Sequence, residues 1–168
     1  MNEQHKLDYN SPIGVIEIIS TGKAISSIMF TERDKIVNLL NDETPTILKD
    51  CYGQLDNYFK GKLFKFTFPY FFEGTDFQQT VWNALIFVPY GKTVSYKDIA
   101  TSIGNDKAIR AVGNANGKNK LSIVIPCHRI IGSNGNLTGY AGGVWRKEWL
   151  LQHENHLLGQ NHTMKSTF

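Results

Sequence analysis

SYKDIATSIGNDKAIRAVGNAN, residues 95–116, is the stretch that decides the fold of the second half of this chain. Ser95 is a favourable N-cap and predicts a short helix over residues 96–103. Gly104 begins a turn, and Asp106 opens a second helix that extends to about the end of the stretch. A helix, a glycine turn and a helix form the outline of a helix-turn-helix. This outline alone does not establish DNA binding, because short helix pairs of this kind are common.

The second helix of the pair is rich in small residues. Ala108, Ala111, Gly113 and Ala115 give it a small side, and Arg110 projects from its early turns. Small side chains allow the backbone to approach another surface closely. We therefore expect this helix to fit against a groove.

Amphipathic helices are predicted on both sides of the pair. Before it, Thr75 and Gln78 have the spacing of a capping box, and apolar residues recur at helical spacing until Pro89. After it, a final helix is predicted over residues 144–158, closed by Gly159. These helices place the pair inside one mainly helical domain.

The first half of the chain has a different pattern, which indicates a small α/β unit. Strands are predicted at residues 6–9, 15–19, 24–30 and 64–72, and one helix at residues 47–59. Cys51 lies on the apolar face of that helix, where a buried, inert thiol is the expected role. We divide the chain into domains at residues 1–73 and 74–168.

Composition and charge limit the classes of function. The chain has 168 residues, of which 41% are hydrophobic and 20% charged, as in a globular protein of one or two small domains. Residues 1–73 have a net charge of −2 and residues 74–168 a net charge of +5, together the +3 of the whole chain. The basic half permits a polyanionic partner without requiring one.

Neither export nor a structural metal is indicated. The amino terminus lacks a signal-peptide apolar region, and no apolar run approaches the ~20 residues that span a bilayer. The two cysteines, Cys51 and Cys127, are far apart and not in CxxC spacing, which favours a reducing cytosol. Within residues 1–73 only His5 and Cys51 are nitrogen or sulfur ligand types, too few for zinc. We expect no metal and no membrane contact.

Cys127 is the candidate reactive residue. Residues 121–125 are predicted to form a buried strand that ends at Pro126, which would place Cys127 at a strand end. A lone cysteine after such a strand is commonly an inert core thiol, but His128 and Arg129 beside it favour a thiolate. Adjacent residues on a strand point to opposite faces, so the imidazole would need a water to reach the thiol.

Two features near this cysteine stay open from the residues alone. The imidazole needs an orienting carboxylate, and the acids after Asp106 are Glu148 and Glu154. For each of them, a solvated position on the final helix is the default interpretation. Residues 131–143 form a glycine-rich loop without a phosphate-loop lysine pattern. A wall for a flat ligand, with Tyr140 at the rim, fits this loop better than a nucleotide site.

Together these residues resemble the O6-alkylguanine-DNA alkyltransferases, especially the compact bacterial form. The resemblance covers residues 74–158 and rests on the segments GTDFQQTVWNAL, VPYGKTVSYKDIA, RAVGNANGKN, IPCHRII, TGYAGG and RKEWLLQHE. It implies a ribonuclease-H-like α/β domain followed by a helix-turn-helix, winged-helix-like domain. It also implies a monomer that acts without a cofactor in the cytoplasm.

The resemblance implies a mechanism in which Cys127 attacks the alkyl carbon on guanine O6 and keeps the alkyl group. His128 would deprotonate the thiol through a water, and Glu154 would orient the imidazole. Asn119 corresponds to a hinge between the recognition helix and the cysteine loop. Tyr96 would bind the flipped guanine and crowd its phosphate. Because a thioether is not readily hydrolysed, each molecule would repair one lesion.

The resemblance also implies the surface that binds alkylated double-stranded DNA. The recognition helix would enter the minor groove, and Arg110 would fill the space left by the flipped guanine. The DNA-binding residues implied are Tyr96, Ala108, Arg110, Ala111 and Asn116.

The base pocket would be lined by Ser122, Ile130, Tyr140 and Ala141. Ala141 and Ser122 depart from serine and proline in relatives, and Lys120 replaces a proline after the hinge. These departures suggest a wider pocket, which comparable repair rates for methyl and butyl lesions would test.

Other functions are weighed against this one. A non-catalytic sensor of alkylated DNA would keep the pocket and replace Cys127. A transcription factor of this family would carry an additional module with its own zinc site. A cysteine hydrolase would need an oxyanion hole and a directly paired base. Cys127 is the residue that separates the alkyltransferase from the sensor.

Overall fold

The computed structural model describes residues 3–161, which form two compact units. The first unit contains the chain up to Phe72 together with Lys120–Ser122, and the second contains Glu73–Asn119 and the chain from Ile123 onward. The first unit is therefore discontinuous in sequence. No helix in the described part of the chain is long and apolar enough to cross a membrane.

The first unit is built on a three-stranded antiparallel sheet in the order β1-β2-β3. The strands are β1 Gln4–Ser11, β2 Gly14–Thr21 and β3 Ala24–Phe30, followed by helix α1 Thr46–Phe59. Alternating apolar residues such as Leu7 and Ile18, which face each other across β1 and β2, are fully buried. Cys51 is buried on α1, as expected. The three strands and the helix confirm those sequence predictions.

The segment at residues 64–72 is not the strand that its aromatic residues suggested. It is irregular, and a single parallel bridge joins Tyr70 to Ile25. Its aromatic side chains still pack: Phe66 lies 5.7 Å from Tyr58 and 5.9 Å from Phe68 between ring centroids. Aromatic enrichment here reflects packing between rings, of which Phe68 is buried and Phe64 is exposed, rather than an extended backbone.

A buried carboxylate anchors the loop that follows β3. Asp8 accepts hydrogen bonds from Arg33 at 2.7 and 3.1 Å and from the backbone amides of Val37 and Asn38 at 2.9 and 3.0 Å. Burial alone would raise the pKa of Asp8, but these hydrogen bonds outweigh it and hold the pKa well below 3.8.

The second unit is mainly helical. Its elements are α2 Asp76–Ile86, β4 Val94–Ser95, α3 Tyr96–Ser102, α4 Ile109–Gly117, a 3₁₀ turn Cys127–Arg129, β5 Ile130–Ile131 and α5 Val144–Asn161. The capping box of Thr75 and Gln78 is present at α2, and Ser95 caps α3 with Asp98. Helices α3 and α4 are the predicted pair, and the indole of Trp82 on α2 donates to the carbonyl of Ala115 on α4 at 2.8 Å.

Three boundaries in this unit differ from the sequence prediction. Helix α4 begins at Ile109 rather than Asp106, because the amide of Ala108 is bonded to the carbonyl of Asn105 in a turn. Helix α5 continues past Gly159 to Asn161. A glycine permits a helix stop but does not enforce one. Residues 162–168 lie outside the described residues.

The strand predicted at residues 121–125 is wrong. Only Leu121 forms a bridge, parallel to Ile28, and the chain then turns. Ile123 has a φ of 74°, a left-handed conformation that a β-branched residue rarely adopts and that ends any extended segment. An apolar run indicates a buried segment, and this segment is buried. Such a run does not distinguish a strand from a buried turn.

Candidate active site

Cys127 begins the 3₁₀ turn Cys127–Arg129, and its side chain is buried with 2% exposure. The turn is closed by a hydrogen bond from the amide of Arg129 to the carbonyl of Pro126 at 2.9 Å. The prediction that Cys127 ends a strand was therefore wrong. With the turn, the alternation of strand side chains does not separate the thiol from His128.

Two asparagines hold the cysteine. The Nδ2 of Asn119 donates to the Sγ of Cys127 at 3.2 Å and to the carbonyl of Ile125 at 3.0 Å. The Nδ2 of Asn116 donates to the Cys127 carbonyl at 3.3 Å. Asn116, which was expected to contact DNA, is instead 3% exposed behind the cysteine, because it lies on the inner side of α4.

The thiol is protonated in this environment. Burial raises the pKa of Cys127 to about 11, against the opposing effects of the Asn119 hydrogen bond and the charge of Lys147. A thiol with this pKa needs a base at neutral pH.

The imidazole of His128 has a carboxylate partner. His128 and Glu154 are both fully buried, and the His128 Nε2 lies 2.7 Å from the Glu154 Oε2. Glu148 is exposed and bonded to Gln152, so the structure selects Glu154 of the two acids. Among the described residues, the Nδ1 of His128 has no hydrogen-bond partner. Burial lowers the pKa of His128 in spite of the opposing effect of Glu154.

Glu154 also binds Arg129. The sequence indicated that Arg129 favours a thiolate at Cys127 and did not reveal this pairing. The Nε and Nη2 atoms of Arg129 donate to the two carboxylate oxygens at 2.8 and 3.1 Å, and Nη1 donates to the carbonyl of Val88 at 2.8 Å. The amide of Gly91 adds a bond to Glu154 at 3.1 Å. Burial alone would raise the pKa of Glu154, but His128 and Arg129 outweigh it and hold the pKa well below 4.5.

Lys147 is a residue that sequence reasoning missed. It is fully buried, its Nζ donates to the carbonyl of Thr138 at 2.7 Å, and it lies 5.9 Å from the centre of the Tyr96 ring. Burial lowers its pKa to about 8, and Cys127 opposes that shift. The signal available in the sequence was position: Lys147 is seven residues before Glu154, on the same face of α5.

The glycine-rich loop closes one side of this cluster. The Tyr96 hydroxyl donates to the carbonyl of Thr138 at 3.2 Å, so Tyr96 and Lys147 share one acceptor. Tyr140 is buried with 8% exposure, and Ala141 beside it is exposed. The loop and Tyr96 thus lie together, as the pocket prediction requires.

The other two predicted pocket residues lie in different places. Ile130 is fully buried in β5, parallel to Val94 of β4. Ser122 belongs to the first unit, where its hydroxyl lies 3.9 Å from the Met29 sulfur. The placement of Ser122 gives no support to a pocket role, which its position in the sequence could not reveal because the chain turns at residue 123.

The exposed side of α4 carries part of the predicted DNA-binding set. Arg110 and Ala111 are exposed, and Ala108 is half-buried at the start of the helix. Tyr96 packs close to α4, since a Cβ on Gly113 would lie 3.7 Å from its ring. No group of three or more His, Cys, Asp or Glu side chains that could hold a metal occurs among residues 3–161. The absence of a metal stays a prediction.

Comparisons with known proteins match both halves of the chain. Residues 7–70 match the family model of the 6-O-methylguanine DNA methyltransferase ribonuclease-like domain, and residues 76–156 match that of its DNA-binding domain. A methylated-DNA–protein-cysteine methyltransferase of Methanosarcina barkeri is 46% identical over 150 residues, which cover 88% of this chain and 95% of the relative. One of Mycobacterium tuberculosis is 42% identical over 151 residues, 89% and 92% of the two chains.

Solved structures that are similar to this chain come from the same family of proteins. A crystal structure of Mycobacterium tuberculosis O6-methylguanine methyltransferase has a TM-score of 0.82 at 38% identity and covers 95% of this chain and all of the other. A structure of the Mycobacterium tuberculosis protein in complex with DNA has a TM-score of 0.81 at 42% identity, covering 91% and 94%. With family models that match residues 7–70 and 76–156, the chain belongs to the 6-O-methylguanine DNA methyltransferase family.

Proposed function

We propose that this protein repairs duplex DNA by transferring the alkyl group of O6-alkylguanine to the thiol of Cys127, once per molecule. The observation that carries the proposal is the buried thiol of Cys127, held at 3.2 Å by Asn119 and followed by an imidazole bound to Glu154 at 2.7 Å. The methyltransferases that this chain resembles act on methylated DNA by name, which supports the substrate.

In the proposed reaction the thiol proton leaves first. The neutral imidazole of His128 donates a hydrogen bond from its Nε2–H to the Glu154 carboxylate, which leaves Nδ1 free of a proton and able to accept the Cys127 proton through a water. The thiolate then attacks the alkyl carbon. A carbon–sulfur bond forms as the bond from carbon to O6 breaks, and the guanine anion takes up a proton. The product is guanine and a stable thioether on Cys127.

The target base must leave the stack to reach a buried thiol. Arg110 and Ala111 on the exposed side of α4 would face the minor groove, and Arg110 would occupy the space of the flipped guanine. Tyr96, already fixed beside the loop by its bond to Thr138, would contact the flipped guanine. Asn116 is excluded from this surface by its burial.

The base would be recognised by backbone groups beside the thiol. The Cys127 carbonyl accepts one bond from Asn116, and its second lone pair can bind the guanine amino group. The carbonyl of Ile130 would share that role, with Tyr140 and the exposed Ala141 at the loop side. O4-alkylthymine is a second substrate to test in the same assay.

The location and domain limits belong to the same proposal. A reduced thiol acceptor requires a reducing compartment, so we propose the cytoplasm, and both cysteines are free. We propose domains 1–73 and 74–168, with residues 120–122 contributed to the first unit by the chain of the second. We propose a monomer, since one chain carries the thiol, the base and the recognition helix.

The test is mass spectrometry of the protein after mixing with excess duplex oligonucleotide that contains one O6-methylguanine. We expect one added methyl group, located on the peptide that carries Cys127. Cys127→Ala should remain unmodified, and Cys51→Ala, which removes the other buried thiol, should be methylated like the unaltered protein. A protein that binds the lesion but gains no methyl would be a non-catalytic sensor and would overturn the proposal.

A further inference from the structure

We propose that Arg129 is a positioning residue for this reaction: by binding both oxygens of Glu154, it neutralises the carboxylate and keeps His128 uncharged and able to accept the thiol proton. The inference rests on the proposed role of His128 as the base for Cys127. It goes further because it proposes that the charge of His128 is controlled by Arg129, a residue that does not touch the substrate.

The geometry makes Glu154 a shared acceptor. Arg129 donates to Oε1 at 2.8 Å and to Oε2 at 3.1 Å, and His128 shares Oε2 at 2.7 Å. A two-point contact between a guanidinium and a carboxylate is the strongest pairing available to either group. The third nitrogen of Arg129 is bound to the carbonyl of Val88, so the guanidinium is fixed on the carboxylate. Glu154 is thus an oriented but already neutralised partner for the imidazole.

The charges around His128 favour its neutral form. Glu154 and Lys147 face it from α5, Arg129 and Cys127 lie on its own turn, and Tyr90 packs against the Arg129 guanidinium at 5.6 Å. Glu154 is the one anion in this group while the thiol is protonated. Arg129 cancels that charge, so a protonated His128 would add an uncompensated positive charge beside Lys147, which is fully buried like His128 itself. Burial, Arg129 and Lys147 all lower the pKa of His128.

Loss of Arg129 should reverse this balance. The carboxylate would remain buried without the guanidinium and with the His128 imidazole still 2.7 Å away, and a proton would be bound to neutralise it. That proton should reside on the imidazole, because the ordinary pKa of histidine is higher than that of a carboxyl group. An imidazolium cannot accept the thiol proton. The transfer rate would fall about tenfold for each unit by which the pKa of His128 exceeds the assay pH.

The experiment measures the charge of His128 directly, without DNA. The ring nitrogens of histidine are followed by nitrogen NMR from pH 5 to 9 in the unaltered protein and in Arg129→Met, with His128→Gln used to assign the signal. We expect a neutral ring at pH 7 in the unaltered protein and a protonated ring in Arg129→Met. Single-turnover transfer should fall at least tenfold at pH 7 and recover at higher pH in the variant.

Arg146→Met is the matched control. Arg146 is buried to the same 7% exposure but donates to the carbonyl of Gly142 and lies over Trp145. Its loss should leave the titration of His128 unchanged. In Arg129→Met combined with Glu154→Gln, the imidazole should be neutral again, because the buried negative charge is gone.

A neutral His128 at pH 7 in folded Arg129→Met would overturn the inference. If Arg129→Met does not fold, Arg129→Lys decides: an ammonium cannot bind both oxygens, so a smaller rise in the pKa of His128 is expected, and an unchanged pKa contradicts the role. The outcomes also separate this inference from the proposed function. An unaltered protein that transfers no alkyl group disproves the function, whereas the NMR titration still reports on Arg129.

Discussion

Single residues around Cys127 act by deciding which protonation state is stable in a buried site. Asn119 is the clearest example, because its Nδ2 is the hydrogen-bond donor at the sulfur. That contact favours the thiolate, while burial favours the thiol. A hydrogen bond to a charged group contributes about 1.5–3 kcal/mol, equivalent to about one to two pKa units.

We expect Asn119→Ala to raise the pKa of Cys127 above about 11 and to lower its reactivity at pH 8 by about tenfold to a hundredfold. The measurement is the rate at which O6-benzylguanine, as a free base, alkylates Cys127. Asn114→Ala, which removes an exposed asparagine of α4, should have no effect. Equal rates for the two variants would show that Asn119 only shapes the loop.

At the scale of elements, helix α4 joins two roles on its two sides. Its inner side supplies Asn116 to the cysteine turn and accepts the Trp82 bond at Ala115, and its outer side exposes Arg110. Base extrusion and thiol chemistry should therefore respond to different substitutions on the same helix.

Arg110→Ala should slow repair of O6-methylguanine in duplex DNA by about tenfold or more, because an unstacked duplex without a replacement side chain costs a few kcal/mol. Repair of free O6-benzylguanine, which needs no extrusion, should be unchanged. Single-turnover rates on the two substrates provide the comparison. A parallel loss on both would place Arg110 in the folding of α4 instead of on DNA.

The elements also show what the sequence could predict. Strong periodicity and capping signals identified β1 to β3, α1 to α3 and the capping box at Thr75. The region around the thiol was harder to predict, because Ile123 adopts a backbone conformation that its side chain disfavours. No local sequence pattern predicts such a conformation. Lys147 was missed, and Arg129 was expected to act on the thiol instead of on Glu154, because a buried cation is recognised only by its partners, which come from distant positions in the chain.

At the scale of the whole molecule, stability should depend on acid differently in the two units. His128 is buried with a lowered pKa, so the unfolded chain binds its proton at about 6.5 and the folded protein loses stability as the pH falls below that value. Glu154, whose pKa is lowered, adds a further loss of stability as the pH falls below about 4.5. Asp8, whose pKa is also lowered, affects the first unit only below about 3.8.

We expect the free energy of unfolding of the second unit to fall by up to about 1.4 kcal/mol per pH unit as the pH is lowered from 6.5, because His128 binds a proton on unfolding. Urea unfolding at pH 7.5 and 5.5, followed by tryptophan fluorescence, measures this, because Trp82, Trp145 and Trp149 all lie in the second unit. His128→Gln should show a smaller change. A midpoint independent of pH in the unaltered protein would mean that His128 has the same pKa in the folded and the unfolded chain.

The short bridge between Leu121 and Ile28 limits how this protein can be recombined with its relatives. Because Lys120–Ser122 completes the first unit from within the second half of the chain, a chimaera joined at residue 73 would pair one parent's sheet with the other parent's bridging segment. That segment lies between Asn119, which donates to the thiol, and the turn that begins at Cys127. Exchanges that carry residues 120–122 along with the sheet should therefore retain an intact acceptor site more often than exchanges that leave them behind.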